Sequence, residues 1–251
     1  MDKRQNCNGS TRSKWPYAGL GGVALLMLGG CATSKPSPLP VTIPASAASV
    51  AAPAATPAPR TDSVPVTLSK IGGDGEDLYD QAKARQWPQM AAKMTDLKQR
   101  MPQLPTDLGG ATENQIKLNA SVVALEKSIA QKDKLGAMRV GNQITRLAAD
   151  MSRPYKPAVP VEVTLLDYYG RELELGVLSK DPTSLTATVT QMRETWTTLR
   201  PVVVAHGGRV QANKFDLLMA RAAATHSPTD FAPIAATALN QVDGLEKVFT
   251  A

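Results

Sequence analysis

The chain has 251 residues, with 28 Lys and Arg against 22 Asp and Glu, a net charge of +6 and only 4% aromatic residues. Its basic residues are scattered and form no run of the kind that grips nucleic acid, so that class of partner is excluded. With two cysteines and two histidines there is no zinc spacing and no Cys-x-x-Cys-His haem attachment, and no cofactor is expected.

The first thirty residues follow the order of a secretory signal. Lys3, Arg4, Arg12 and Lys14 stand against the single acid Asp2, an apolar stretch runs from Tyr17 to Leu28, and small residues lead to a cysteine in Leu28-Gly29-Gly30-Cys31. The apolar run is shorter than the ~20 residues a spanning helix needs. This tetrapeptide resembles the lipobox of bacterial prolipoproteins. The resemblance implies cleavage between Gly30 and Cys31 and acylation of the Cys31 thiol, so that the mature chain is held on a membrane by its lipidated first residue. Ala32 follows, where enterobacterial lipoproteins kept in the inner membrane have aspartate, which implies the periplasmic face of the outer membrane. Loss of residues 1–30 would remove four basic residues and one acid, leaving +3, and would discard the other cysteine, Cys7.

From Ala32 to Leu68 eight prolines alternate with alanine, serine and threonine, and the only charges are Lys35, Arg60 and Asp62. Such a composition builds no core and favours extended polyproline II, so residues 31–70 read as a disordered tether. At ~3.1 Å per residue it would reach on the order of 100 Å when fully extended.

Residues 71–251 read as one all-α domain. Leu185, Val189, Met192, Trp196, Leu199 and Val203 recur every three or four residues, the stripe of a helix packed in a bundle. Asp181-Pro182 opens that helix and Gly207-Gly208 closes it. The same spacing occurs 95 residues upstream in Met90, Met94, Leu97, Met101, Leu104 and Leu108, closed by Gly109-Gly110 and interrupted by Pro102 and Pro105, which predict a stop near Met101. Leu118, Val122, Leu125 and Ile129 correspond at an offset of 97 to Phe215, Met219, Ala222 and His226, and Asn142-Gln143 at 98 to Asn240-Gln241. Leading helices are expected over Glu76–Arg85 and after Pro160. These ordered offsets predict a bundle of two pseudo-repeated halves, about 71–153 and 160–251. Trp196 is then expected at the centre, against helices of both halves.

Candidate chemistry is sparse. Asp77 and Glu172 are equivalent carboxylates that could face each other across the pseudo-axis. Arg171 lies four residues from Asp167, the spacing of an ordinary surface ion pair. Asn142 and Asn240 form a second polar pair, with the character of registry amides. Tyr169, Trp196 and Asn240 would line any pocket between the halves. His226, near methionines, is the weak candidate for metal or haem. No Ser-His-Asp set or nucleotide loop is present. The sequence therefore points to a non-enzymatic, lipid-anchored envelope protein that binds another protein, with a bundle binding a small ligand, metal or haem as the alternative.

Overall fold

The computed structural model describes residues 63–110 and 112–250; the signal segment, Cys31 and residues 32–62 of the tether lie outside the described residues. Among the described residues nine α-helices follow in order: α1 Val66–Lys83, α2 Trp87–Arg100, α3 Leu104–Leu108, α4 Glu113–Gln131, α5 Lys134–Ser152, α6 Val161–Ser179, α7 Pro182–Ala205, α8 Arg209–Ala223 and α9 Ala232–Thr250. Among the described residues there is no strand, and no helix is long and apolar enough to cross a membrane.

The helix ends are written in local chemistry. Thr112, Asp133 and Asp181 each accept a hydrogen bond from the backbone N–H three residues on, which caps α4, α5 and α7. Gly109 closes α3 in the left-handed conformation, φ 73°, where glycine carries no Cβ penalty. The prolines at 102 and 105 do what proline does in a helix: α2 ends at Arg100, and a 3-10 turn over Met101–Gln103 leads into the short α3.

All six stripe residues of α7 are buried, as are Met90, Met94, Leu97, Leu104 and Leu108 of the first half. The buried side chains form two cores. One is built from α1 to α5 and borrows Leu175 from α6; the other is built from α6 to α9 and borrows Ala149 from α5. The two halves meet where α5 packs on α6.

The first helix departs from expectation. It begins at Val66 rather than Glu76, so the last residues assigned to the tether are helix, and Leu68 and Ile71 are fully buried. Gly72, Gly73 and Gly75 each disfavour helix by about 1 kcal/mol relative to alanine. Burying Leu68 and Ile71 returns roughly 1.5–3 kcal/mol apiece and outweighs that loss.

Trp196 is 4% exposed, as the stripe requires, but its immediate partners lie within the second half. Its ring centroid is 4.6 Å from that of Phe215, and its indole Nε1 donates to Asp216 Oδ1 at 2.8 Å, both on α8. The expectation that it bridges the halves is corrected, because α7 is an outer helix whose stripe faces α6 and α8. Truncating a buried Trp removes roughly 3–5 kcal/mol, a large part of a domain's typical ~5–15 kcal/mol. Trp196→Ala is therefore expected to lose most of the unfolding free energy in a urea titration, and part-buried Trp87→Ala far less.

Candidate functional site

The densest polar assembly lies where α1, α5 and α6 come together. Two glycines make the approach possible. A Cβ on Gly75 would sit 2.7 Å from Thr145 Oγ1 and 2.9 Å from the Gly141 carbonyl, and one on Gly141 would sit 2.8 Å from the Tyr79 nitrogen. The backbones of α1 and α5 thus touch where no side chain fits between them. In the second half Gly170 of α6 takes a similar position, with a Cβ there falling 2.8 Å from Leu239 on α9.

Tyr79, 1% exposed, projects from that crossing to α6. Its hydroxyl donates to Glu174 Oε2 at 2.8 Å, and Lys83 Nζ holds Glu174 Oε1 at 2.7 Å. Burial, with Glu174 alongside, raises the Tyr79 pKa and keeps the hydroxyl a donor. The Arg171 guanidinium lies 5.1 Å from the centre of the Tyr79 ring, within cation–π range. Arg171 Nη2 reaches Asp167 Oδ2 at 3.2 Å and Glu76 Oε2 at 4.0 Å. The Asp167–Arg171 pair is accordingly not a surface pair: Arg171 is only 8% exposed, and its Nη1 is buried without a hydrogen-bond partner among the described residues. The reason is the position of α6, which is packed by α5, α7 and α9 and leaves little of its circumference to solvent.

On the α5 side, Asn142 is fully buried, and its Nδ2 donates to the Tyr168 carbonyl at 3.1 Å and to Glu172 Oε1 at 2.7 Å. Arg146 lies over the Tyr168 ring at 5.1 Å, and Tyr168 packs edge-on to Tyr169, which is itself buried.

The sequence-selected residues are therefore divided. Arg171, Asn142, Glu172 and Tyr169 belong to this junction. Asp77 does not face Glu172; it is exposed and pairs with Lys93 at 2.8 Å, beside the Asp74–Arg100 and Asp74–Lys93 pairs. Asn240 is exposed and lines a groove of about 380 Å³ with Glu174 and Leu239, so it shares no environment with Asn142 and no pocket with Trp196. His226 is exposed beyond the end of α8. His206 Nδ1 is 2.8 Å from the Val202 carbonyl, the helix-terminal role its place suggests. Among the described residues no group of three His, Cys, Asp or Glu side chains is placed to hold a metal. Sequence reasoning missed Glu76, Tyr79 and Glu174. Tyr79 and Glu174 are 95 positions apart, the same separation as Glu76 and Arg171 and the offset expected between the two stripes.

Compared with models of known protein families, with curated proteins and with solved structures, the chain matches none.

The junction carries more acid than base. Burial, reinforced by Asp167, Glu246 and Asp80 and opposed by Arg171, pushes Glu76 up to about 7. Burial likewise raises the pKa of Asp167 and Glu246; neighbouring carboxylates raise each further, and Arg171 lowers it. A carboxylate whose pKa rises on folding binds its proton more tightly in the folded state, so it favours folding at low pH. For Glu76 that contribution is complete below the ordinary value of 4.5 and is lost as pH climbs through about 7. Its side chain is 42% exposed, so water screens part of the effect. Urea midpoints are expected to fall as pH rises across this window, and Glu76→Gln to flatten the slope.

Proposed function

We propose that the chain is a lipid-anchored bacterial lipoprotein of the outer membrane's periplasmic face, non-enzymatic, whose helical domain docks a protein of the envelope. The observation that carries the reading is the order of basic segment, apolar run, small residues and Cys31, followed by the proline-rich spacer. The helical domain supports a docking role through its outer helices. Ile116 and Val123 on α4 and Val210 and Leu217 on α8 are each more than 60% exposed, large apolar side chains on a surface otherwise rich in charge.

We also infer that the two halves are copies of one four-helix unit. Each half packs its first long helix on its last. Gly75 meets Gly141 in one, and Gly170 meets Leu239 in the other, residues separated by 95 and 98 positions as the sequence repeat requires. Glu76 lies beside Arg171, and Tyr79 bonds Glu174, so positions related by the repeat touch each other, as they would around a two-fold axis. The α4–α5 groove lined by Ala120, Arg139 and Gln143 has a counterpart on α8 and α9 lined by Leu217, Thr237 and Gln241.

Growth with an alkyne-tagged fatty acid tests the anchor. The wild-type chain is expected to take up label, and Cys31→Ala to remain unlabelled as a heavier, uncleaved precursor. Normal cleavage without label in the wild type would refute it. For docking, a photo-crosslinker at Val123 or Leu217 is expected to yield a discrete adduct in cells and one at exposed Asp107 none; equal yields at all three positions would dismiss these faces.

A further inference from the structure

A surface cleft of about 230 Å³ opens between α1, the end of α5 and the start of α6. Val64, Pro157 and Val159, each part-exposed, give it aliphatic walls, and among the described residues Glu76 is the one ionisable side chain that lines it. Gly73 stands at its rim. The glycine is not in the left-handed region, and a Cβ there would meet nothing within 4 Å. Neither backbone conformation nor packing therefore requires glycine at this position, in contrast to Gly75 two residues on. Alanine is the better helix former at an exposed position inside a helix. What the missing side chain does is leave the mouth of the cleft open.

We propose that this cleft binds a compact aliphatic ammonium compound, its cationic nitrogen on the Glu76 carboxylate and its body against the part-exposed Val64, Pro157 and Val159. Size sets the first limit, since the cleft is smaller than the roughly 300–1,000 Å³ of sites for drug-sized ligands. Charge sets the second. Asp80, Asp167 and Glu246 set like charge around Glu76, and Arg171, which opposes them, is 4.0 Å from Glu76 and closer, at 3.2 Å, to Asp167. A cation arriving through the cleft satisfies Glu76 directly, whereas an anion meets repulsion. The walls offer no aromatic face, so the cation is held by the carboxylate and its chain by aliphatic contact. The inference stands apart from lipid anchoring and from protein docking.

Titration of the full chain with n-butylammonium and with choline, followed by amide NMR shifts, tests it. Saturable shifts are expected at residues 69–76 and 161–164, with butanol and butyrate producing none. Glu76→Gln keeps the side chain's size and removes its charge, and is expected to weaken binding by about tenfold or more, the scale of a charged hydrogen bond. Gly73→Leu places its side chain at the open mouth and is expected to abolish binding while thermal unfolding stays cooperative. The proposal is overturned if neither ammonium probe saturates by roughly 10 mM, a concentration that detects even millimolar affinity. Equal binding of butyrate, or unchanged affinity in either variant, overturns it as well.

Discussion

The contact on which the rest of the molecule depends is the crossing of α1 and α5 at Gly75 and Gly141. Side chains normally keep helix axes 8–10 Å apart; here the absence of two Cβ atoms lets backbone meet backbone. The consequence extends past the pair itself. With the Tyr79 nitrogen against Gly141, the tyrosine ring has no room on the α5 side and is carried across to α6, where it meets Glu174 and Arg171. A larger residue at either glycine would displace the element that positions Tyr79, and the link between the halves would go with it. The same crossing explains why a helix with three glycines in its first ten residues persists. Leu68 and Ile71 reach the core only because α1 lies close enough to α5 for them to be covered.

Arg171 shows what kind of link this is. A buried charge is a poor source of net stability, because its desolvation offsets much of what its partners return. Its value is in register. The guanidinium is met by Asp167 on its own helix, by the Tyr79 ring and by Glu76 from the neighbouring one, and sliding α1 along α6 by one turn would leave it with Asp167 alone. The penalty for an unmet buried cation is what fixes the two helices lengthwise. Asn142 does the equivalent on the other flank, where its amide bonds both the Tyr168 carbonyl and Glu172.

Much of the architecture was legible because it rests on local rules. The stripe from Leu185 to Val203, the cap at Asp181 and the proline stop after Arg100 each need only near neighbours to act, and each stands where the pattern put it. What escaped depended on partners far along the chain. The leading helix reads as starting at Glu76 until Gly141 is known to face Gly75. Arg171 reads as exposed until α5, α7 and α9 are laid around α6. Asp77 and Glu172, equivalent under the proposed duplication, part company: one looks out to Lys93 of α2 and the other in to Asn142 of α5. Repeat offsets report equivalence of position and are silent about surroundings.

That difference bears on how a duplicated bundle would come to differ from a pair of identical subunits. In an isologous dimer, a residue on the two-fold axis meets its own copy, so a carboxylate there faces a carboxylate and a guanidinium faces a guanidinium. Such pairs repel and must be diluted by solvent or kept neutral. Once both copies lie on one chain, equivalent positions are free to take opposite roles. Here Glu76 lies opposite Arg171, and the Tyr79 donor lies opposite the Glu174 acceptor. Under the proposed duplication, the contact between the halves has used that freedom to become complementary where identical copies could only be alike. The surplus acid around Glu76 is then what remains uncompensated beside that contact, where Arg171 is set against several carboxylates.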